Sequence, residues 1–322
     1  MVIVNFEPLH LKSSQLEGLK AVFGERLRQD VPLVRYTTAH VGGPAEVLLE
    51  VSSADELALA VSLLWESDLP FLVLGGGSNV LVSDSGVRGV VLLNRARRVR
   101  FAEKSQPPVV WAESGASFGR VARQAATRGL SGLEWAAGIP GSVGGAVYGN
   151  AGAHGTDIAG HLIVADILQR IGLGQEEMPN REEWNVERLE YSYRSSVLKR
   201  NSGQAFVLAA LMRLTMSTHE QVQARTDEMT SYRRHTQPPG ASMGSMFKNP
   251  PGDYAGRLID AAGLKGMRVG DAQISTLHAN FFLNHGRATS AEIYSLIQRA
   301  RQAVGEKFGV DLELEIELVG EW

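Results

Sequence analysis

Two glycine-rich segments are the parts of the sequence that most directly indicate chemistry. The first, Leu74-Gly-Gly-Gly-Ser-Asn79, follows a short apolar run, and the second has seven glycines in the eighteen residues 138–155. Backbone without side chains can approach a ligand closely and surround an anionic group with amide donors. The alternative is a tight crossing of two chain segments inside a core. The presence of two such segments favours one extended ligand, and a dinucleotide with two phosphates is of that kind.

The first glycine segment lacks the features of the two common nucleotide-binding loops. A Rossmann fingerprint requires a helix directly after the glycines, whereas Val80-Leu-Val82 continues as a strand and Asp84 predicts a turn. No Walker lysine follows the glycines. The segment is therefore predicted to be a strand, a loop and a second strand, with the amides of the loop directed at an anion.

Composition narrows the chemistry further. The chain of 322 residues is 44% hydrophobic, so two or three domains are expected. A net charge of −3 without a basic stripe argues against nucleic acid as a partner. The sequence has no cysteine, which excludes disulfides, thiolate nucleophiles and iron–sulfur clusters, so any redox chemistry must come from a bound cofactor. No histidine pair has the spacing of metal ligands, and no metal is predicted.

The sequence also carries no targeting signal. Its first ten residues lack the basic start and apolar run of a signal peptide, and no apolar stretch is long enough to span a bilayer. A cytoplasmic protein without membrane insertion is expected.

Capping signals and hydrophobic periodicity outline the elements that would position the glycine segments. Ser53-Ala-Asp-Glu56 opens a helix, and Thr289-Ser-Ala-Glu292 opens a long one that Gly309 would close. Further helices are predicted at residues 117–128, 218–235 and 253–262, and strands at 71–74, 80–82, 89–93, 109–113, 162–171, 205–214, 281–283 and 311–318. No internal repeat is present. The fold class is therefore a mixed α+β protein.

The predicted last strand places three carboxylates together. Apolar and acidic residues alternate strictly over residues 311–318, so Glu313, Glu315 and Glu317 would share one face. Alternation alone makes all three of these glutamates solvent-facing.

Several motifs occur in one order along most of the chain. They are residues 36–43, 74–84, 132–155, Tyr193-Arg-Ser-Ser-Val197, Gly244-Ser-Met-Phe-Lys-Asn-Pro250, Leu264-Lys-Gly266 and the closing Leu312-Glu-Leu-Glu315. In these motifs the sequence resembles the MurB family of UDP-N-acetylenolpyruvoylglucosamine reductases. Those enzymes belong to the flavoprotein superfamily that includes vanillyl-alcohol oxidase.

The resemblance implies non-covalent FAD held between two small α+β subdomains, with a third domain over a UDP-sugar. The implied boundaries are 1–89 with the strand 314–322, then 90–234, then 235–313. The implied FAD contacts are Gly75, Gly76, Gly77, Ser78, Asn79, Val80, Gly138, Ile139, Pro140, Gly144, Gly145, Asn150, Gly152, His154 and Gly155. NADPH would be the co-substrate, using the substrate site in turn, so ping-pong kinetics and a monomer are expected.

The implied reaction turns UDP-N-acetylglucosamine enolpyruvate into UDP-N-acetylmuramate for peptidoglycan. Flavin N5 would deliver hydride to the methylene carbon and Ser245 a proton to its neighbour, with Arg194 and Glu313 flanking the enolate-like intermediate. A serine hydroxyl is a poor acid, and Lys248 is the nearest cation in sequence that could stabilise its alkoxide. The implied substrate-binding residues are Tyr193, Arg233, Lys248, Asn249 and His278.

Each assignment has a structural alternative. Gly244-Ser245 on its own is typical of a turn or helix cap, Arg194 could form a surface ion pair, and His278 could be hydrogen-bonded within the fold. A guanidinium would nevertheless suit a bidentate hold on the enolpyruvyl carboxylate.

The sequence departs from the family pattern in two places. It looks shorter than the enterobacterial-type enzymes and resembles the second subtype, which lacks their tyrosine-bearing lid. The segment of residues 234–238, around Thr236, stands where many relatives have a lysine, so no diphosphate contact is carried over there. Two other functions remain open, an oxidase of the same superfamily and a non-catalytic nucleotide-binding module.

Overall fold

The computed structural model describes residues 3–4, 13–172 and 178–322. The chain forms two compact units. Unit 1 combines Met1–Leu49, Gly77–Val91 and Arg234–Trp322, and unit 2 combines Glu50–Gly76 and Leu92–Arg233. The finer division into three domains stays a prediction.

Helices and strands alternate irregularly along the chain. The helices are α1 (Ser13–Phe23), α2 (Ala54–Glu66), α3 (Phe118–Ala126), α4 (Val143–Gly149), α5 (Val186–Leu189), α6 (Val197–Arg200), α7 (His219–Thr236), α8 (Ala255–Ala261) and α9 (Ser290–Phe308). The strands are β1 (Ile3–Val4), β2 (Leu27–Pro32), β3 (Pro44–Val51), β4 (Phe71–Leu74), β5 (Val80–Val82), β6 (Val87–Asn94), β7 (Val99–Ala102), β8 (Val109–Glu113), β9 (Leu130–Ser131), β10 (Gly152–Ala153), β11 (Thr156–Asp157), β12 (Leu162–Ile171), β13 (Met178–Asn185), β14 (Ala205–Arg213), β15 (Thr215–Met216), β16 (Arg268–Val269), β17 (Ala272–Ile274), β18 (Phe282–Asn284) and β19 (Glu317–Val319).

Unit 1 is organised around β19 and α9. Strand β19 runs parallel to both β1 and β5, and β16, β17 and β18 form a separate antiparallel sheet. The predicted capping box of α9 is confirmed, with reciprocal bonds between Thr289 and Glu292 and a left-handed Gly309 at the end. Asp84 adds a tertiary cap, since its carboxylate accepts hydrogen bonds from the amides of Ser290 and Ala291 at 2.8 and 2.9 Å.

Unit 2 is organised around a five-stranded antiparallel sheet in the order β13-β12-β14-β8-β7. Helices α3 and α4 contribute Phe118 and Val143 to its hydrophobic core. The predicted cap of α2 is confirmed, because the Ser53 side chain accepts a bond from the Glu56 amide. A buried carboxylate also supports the start of α2, since the side chain of Glu113 accepts a hydrogen bond from the amide of Ala54 at 3.1 Å.

The predicted strand at residues 311–318 is wrong over most of its length. Only Glu317–Val319 is strand; Leu314 forms an isolated bridge with Phe247, and a bend at Glu315 and Ile316 separates that bridge from the strand. The carbonyl of Glu313 accepts a bond from the Lys248 amide at 2.8 Å, and the Glu317 amide then donates to Asn79 at 2.9 Å. Burial still alternates, because Leu312, Ile316 and Leu318 are buried. Alternation therefore detected an extended chain with one buried side and not a continuous ladder.

The second glycine-rich segment, residues 138–155, contains regular secondary structure. Residues 143–149 form helix α4, and a short hairpin of β10 and β11 follows it. Glycine disfavours helices, but here it permits close packing, since a Cβ on Gly144 would lie 2.8 Å from Ser114 Cβ. The Ser142 side chain caps the helix by accepting a bond from the Gly145 amide.

None of the helices in the described ranges combines the length and apolar composition needed to cross a bilayer.

Candidate active site

The two glycine segments meet within unit 2. A Cβ on Gly76 would lie 2.8 Å from the Cα atom of Gly141, and a Cβ on Gly75 would overlap the hydroxyl of Ser142. Part of the glycine requirement is therefore the tight chain crossing that the sequence left open as an alternative. The crossing also holds the two glycine segments side by side, as binding of one extended ligand would require.

The amides of the first segment are available to a ligand. Gly76 is exposed, and the amides of Gly75 and Gly76 donate no hydrogen bond to any residue that the structure describes. In unit 1, Gly77 has a φ of +61°, and a Cβ there would overlap the carbonyl oxygen of Tyr36. Side-chain-free backbone with open amides fits an anionic group such as the pyrophosphate of FAD.

Three residues of the second glycine segment that were predicted to contact FAD have backbone amides that are already hydrogen-bonded within the protein. The amides of Gly144 and Gly145 are already used, by the Ser114 carbonyl at 2.8 Å and by Ser142 Oγ at 3.3 Å. The amide of Ile139 donates to Ala136 at 2.9 Å. These three backbone donors are therefore committed within unit 2.

The remaining predicted cofactor residues have mixed surroundings. His154 has a φ of +54° and packs its ring against Tyr232, with 5.6 Å between centroids. Gly155 has a φ of +80° and open space where a Cβ would stand, whereas a Cβ on Gly152 would lie 2.7 Å from the carbonyl oxygen of Thr156. In unit 1, Asn79 donates to the Glu315 carbonyl at 3.1 Å and so ties the glycine loop to the chain entering β19.

Two arginines of unit 2 form the strongest positive region of the candidate site. Arg194 is half-buried at a φ of +56°, with its guanidinium 5.5 Å from the centre of the Tyr193 ring. Burial and, after it, the positive charge of Arg194 lower the pKa of Arg233. Gly138 gives Arg233 its space, since a Cβ there would lie 3.0 Å from Arg233 Cδ. Two cations brought together and partly removed from water suit an anionic ligand.

In unit 1 the predicted proton donor lies on a segment held by one buried asparagine. Asn280 accepts from the Phe247 amide at 2.9 Å and donates to the Phe247 carbonyl at 2.8 Å, and its own carbonyl accepts from the Met246 amide at 2.8 Å. Ser245 is half-buried, and its hydroxyl bonds to none of the described residues. The hydroxyl therefore does not cap a described turn or helix, and it is free to act on a ligand.

Lys248 and Glu313 form an ion pair. Lys248 Nζ lies 2.5 Å from Glu313 Oε1, and the lysine side chain is only 16% exposed whereas that of Glu313 is 67% exposed. The backbone reinforces the pair, since the Lys248 amide donates to the Glu313 carbonyl. The ion pair identifies Glu313, and not Glu315, as the partner of Lys248, which strand alternation alone could not do.

Two further predicted binding residues in unit 1 are already oriented. Asn249 Oδ1 accepts from the amide of Ala255 at 3.1 Å, at the start of α8. His278 Nδ1 accepts from the Asn280 amide at 3.2 Å, so the neutral ring carries its proton on Nε2. Burial and, less strongly, the charge of Lys265 lower the pKa of His278.

Some residues important for the site's geometry were missed. Asn280 was not predicted, although an asparagine between two apolar residues, directly before a predicted strand, was a signal for a buried hydrogen-bonding role. Tyr191, three residues before Arg194, was given no role in the site by the sequence. Among the residues described, no three histidine or acidic side chains are arranged to hold a metal ion.

Comparison with known proteins shows that the chain is an oxidoreductase with an FAD-binding domain, and the open amides of the first glycine segment fit that cofactor. The family model of an FAD binding domain matches residues 45–170, and that of the C-terminal domain of UDP-N-acetylenolpyruvoylglucosamine reductase matches residues 235–319. The chain belongs to the UDP-N-acetylenolpyruvoylglucosamine reductase family. The predicted family, the α+β fold class and the FAD cofactor are thereby confirmed.

Named relatives match over nearly their whole length. The chain is 43% identical to the reductase of Chloroflexus aggregans over 296 residues, which are 91% of this chain and 97% of the relative. It is 45% identical to that of Rubrobacter xylanophilus over 295 residues, 91% and 95% of the two chains. The solved MurB structure from Thermus caldophilus is 36% identical, with a TM-score of 0.72, and the match covers 91% of this chain and 98% of that one.

Proposed function

We propose that the protein reduces UDP-N-acetylglucosamine enolpyruvate to UDP-N-acetylmuramate, with NADPH as hydride donor, in cytoplasmic peptidoglycan precursor synthesis. The observation that carries the proposal is the adjacent, partly buried pair Arg194 and Arg233 in a chain of this family. The enolpyruvyl UDP-sugar presents a carboxylate and a diphosphate, which are the anions that two guanidinium groups bind best.

The reaction adds a hydride to the methylene carbon of the enol ether and a proton to the adjacent carbon. Bound FAD supplies the hydride, which NADPH provides in a separate half-reaction. Negative charge develops on the adjacent carbon and its carboxylate before the proton arrives, so the site must stabilise that charge. Arg194 holds the carboxylate in this proposal, and Arg233 binds the diphosphate.

Protonation falls to the segment that carries Ser245. Its hydroxyl gives the proton to the carbon, and the resulting alkoxide recovers a proton from solvent. A serine can act as an acid only if a nearby positive charge stabilises its alkoxide, and Lys248, three residues later, is the cation on this segment. Glu313 holds the Lys248 ammonium in place through the ion pair. Tyr193, Asn249 and the Nε2–H group of His278 complete the substrate contacts.

An anaerobic spectral experiment tests the reaction. The purified protein should be yellow, NADPH should bleach the flavin absorbance, and the enolpyruvyl UDP-sugar should restore it. A protein that has no chromophore and takes up no added FAD would refute the proposal, as would bleached flavin that the sugar nucleotide leaves unchanged. Rapid peroxide production from an alcohol without NADPH would favour an oxidase instead.

The role of Ser245 has its own test. In Ser245→Ala, bleaching by NADPH should survive while reoxidation by the sugar nucleotide falls by about 100-fold or more, the usual contribution of a positioned proton donor. Stopped-flow absorbance separates the two half-reactions. Equal loss of both would show that Ser245 supports the fold or the cofactor and not the protonation.

A further inference from the structure

Arg194 has a strained backbone conformation, so the position of its side chain depends on the contacts around it. Ser192 and Ser195 exchange two backbone hydrogen bonds of 3.0 and 3.1 Å, and this closes a turn with Tyr193 and Arg194 at its tip. Arg194 has a φ of +56°, in the left-handed region that is unfavourable for a residue with a side chain. Surrounding contacts must therefore hold the turn in this form.

Three side-chain hydrogen bonds attach the turn to the C-terminal end of α4. The Tyr191 hydroxyl donates to the Val147 carbonyl at 2.9 Å, and the Ser196 hydroxyl donates to the Tyr148 carbonyl at 2.6 Å. Both carbonyls belong to the last turn of α4, and the Val147 carbonyl also accepts the amide of the capping residue Asn150 at 3.5 Å. The third bond runs from Asn150 Nδ2 to the Ser192 carbonyl at 3.2 Å. Two attachments, at Tyr191 and Ser192, therefore precede the strained tip, and one, at Ser196, follows it.

Asn150 is itself held rigidly. It is 4% exposed and adopts a left-handed conformation that ends α4. Its Nδ2 also donates to Asp157 at 3.0 Å, and its Oδ1 accepts from the Ala159 amide at 3.2 Å. The side chain thus joins α4, the turn and the β10–β11 hairpin, and its Nδ2 group donates to two acceptors within the protein.

Tyr191 is suited to a permanent donor role. Burial, and after it the nearby charge of Asp157, raises the pKa of Tyr191, so its hydroxyl keeps its proton at any physiological pH. A donor that never ionises gives the turn an anchor that does not change with conditions. The other end of α4 begins at Ser142, which lies against Gly75 of the first glycine segment. One short helix therefore connects the glycine crossing to the arginine turn.

We propose that Tyr191, Ser196 and Asn150 are positioning residues for the reaction, which hold the Arg194 guanidinium on the substrate carboxylate by fastening its turn to α4. The inference rests on the role of Arg194 in the proposed function. If one of these hydrogen bonds is removed, FAD should stay bound but the Arg194 guanidinium should lose its fixed position. The rate should therefore fall only in the half-reaction that uses the enolpyruvyl carboxylate.

The test compares Tyr191→Phe and Ser196→Ala with matched controls. Tyr294→Phe removes a hydroxyl from a tyrosine packed on Trp322, and Ser105→Ala removes a serine-to-carbonyl bond of 2.7 Å in a surface turn. Reoxidation of NADPH-reduced enzyme by the sugar nucleotide should slow roughly 10- to 100-fold in the two anchor variants, as expected for a displacement of about 1 Å. The controls, and flavin reduction by NADPH in all four variants, should match the parent protein.

A double-mutant cycle separates positioning from general support of the fold. In the Arg194→Ala background, Tyr191→Phe should cause no further loss of reoxidation rate, because the group being positioned is gone. Calorimetric titration of the oxidised enzyme with the sugar nucleotide should show the same pattern in Kd. Additive losses in rate or affinity would overturn the proposal, since they would mean that Tyr191 acts on something other than Arg194.

Folding failure and failure of the proposed function give different results. Should Ser196→Ala prove too unstable to purify, Tyr191→Phe carries the test, because it keeps the buried ring and removes only the hydroxyl that donates to Val147. Parent enzyme that is not reoxidised by the sugar nucleotide would refute the proposed function and this inference with it. Parent enzyme that is reoxidised, with anchor variants that match it, would refute the inference alone.

Discussion

Gly76→Ala tests whether the crossing of the two glycine segments creates the cofactor site. The added Cβ would lie 2.8 Å from the Cα atom of Gly141. Carbon atoms pack at about 3.5–4.0 Å, so the segments must separate by roughly 1 Å. Neither partner atom belongs to a flexible side chain, so the backbone itself must move.

The separation should weaken FAD binding. A hydrogen bond stretched by that amount is lost. Each bond from an amide to a charged group contributes about 1.5–3 kcal/mol, so losing one or two amide donors costs about 1.5–6 kcal/mol. The Kd for FAD should rise by at least tenfold, since about 1.4 kcal/mol corresponds to a factor of ten.

The assay is titration of apo-protein with FAD, followed by quenching of flavin fluorescence. Gly18→Ala is the matched control, because Gly18 lies in α1 with nothing within 4 Å of an added Cβ. That variant should keep the parent Kd and gain about 0.5–1 kcal/mol of stability from replacing a helical glycine. If Gly76→Ala binds FAD as tightly as the control, the crossing does not shape the cofactor site and the reasoning from these glycines fails.

Three more predictions follow from the site and its support. Glu313→Gln should slow reoxidation of reduced flavin by the sugar nucleotide, because it breaks the Lys248 ion pair; an equal loss in Glu315→Gln, measured by stopped-flow, would contradict the assignment of Glu313. Asp84→Ala should lower the free energy of urea unfolding of the apo-protein by about 1–2 kcal/mol, because two amides at the start of α9 lose their acceptor, and an unchanged midpoint would show that water replaces it. His278 has a pKa lowered from 6.5 in the folded protein, so the unfolded state binds its proton first and stability falls as pH drops below about 6.5; His278→Gln should flatten that part of the stability–pH curve, and an identical slope would exclude this histidine as the cause.

Local patterns predicted the elements whose stabilising contacts lie close together in sequence. The caps of α2 and α9 connect residues three positions apart, and the left-handed glycine that ends α9 directly follows it. The strands on either side of the first glycine segment were likewise predicted, because short apolar runs bounded by turn residues leave few other structures. Helix α4 was not predicted, because its glycines oppose helix formation and its stabilising contacts come from Ser114, Tyr191 and Ser196.

Composition, capping signals and the order of motifs determined the fold class, the dependence on a bound cofactor and the family. Tertiary structure alone decided that Arg194 lies near enough to Arg233 for its charge to lower the pKa of Arg233, that Lys248 pairs with Glu313 rather than its neighbour two residues on, and that Asn150 is buried. These contacts join residues far apart in the chain. Their distances depend on how all the intervening elements pack, and no local pattern of residue types contains that information.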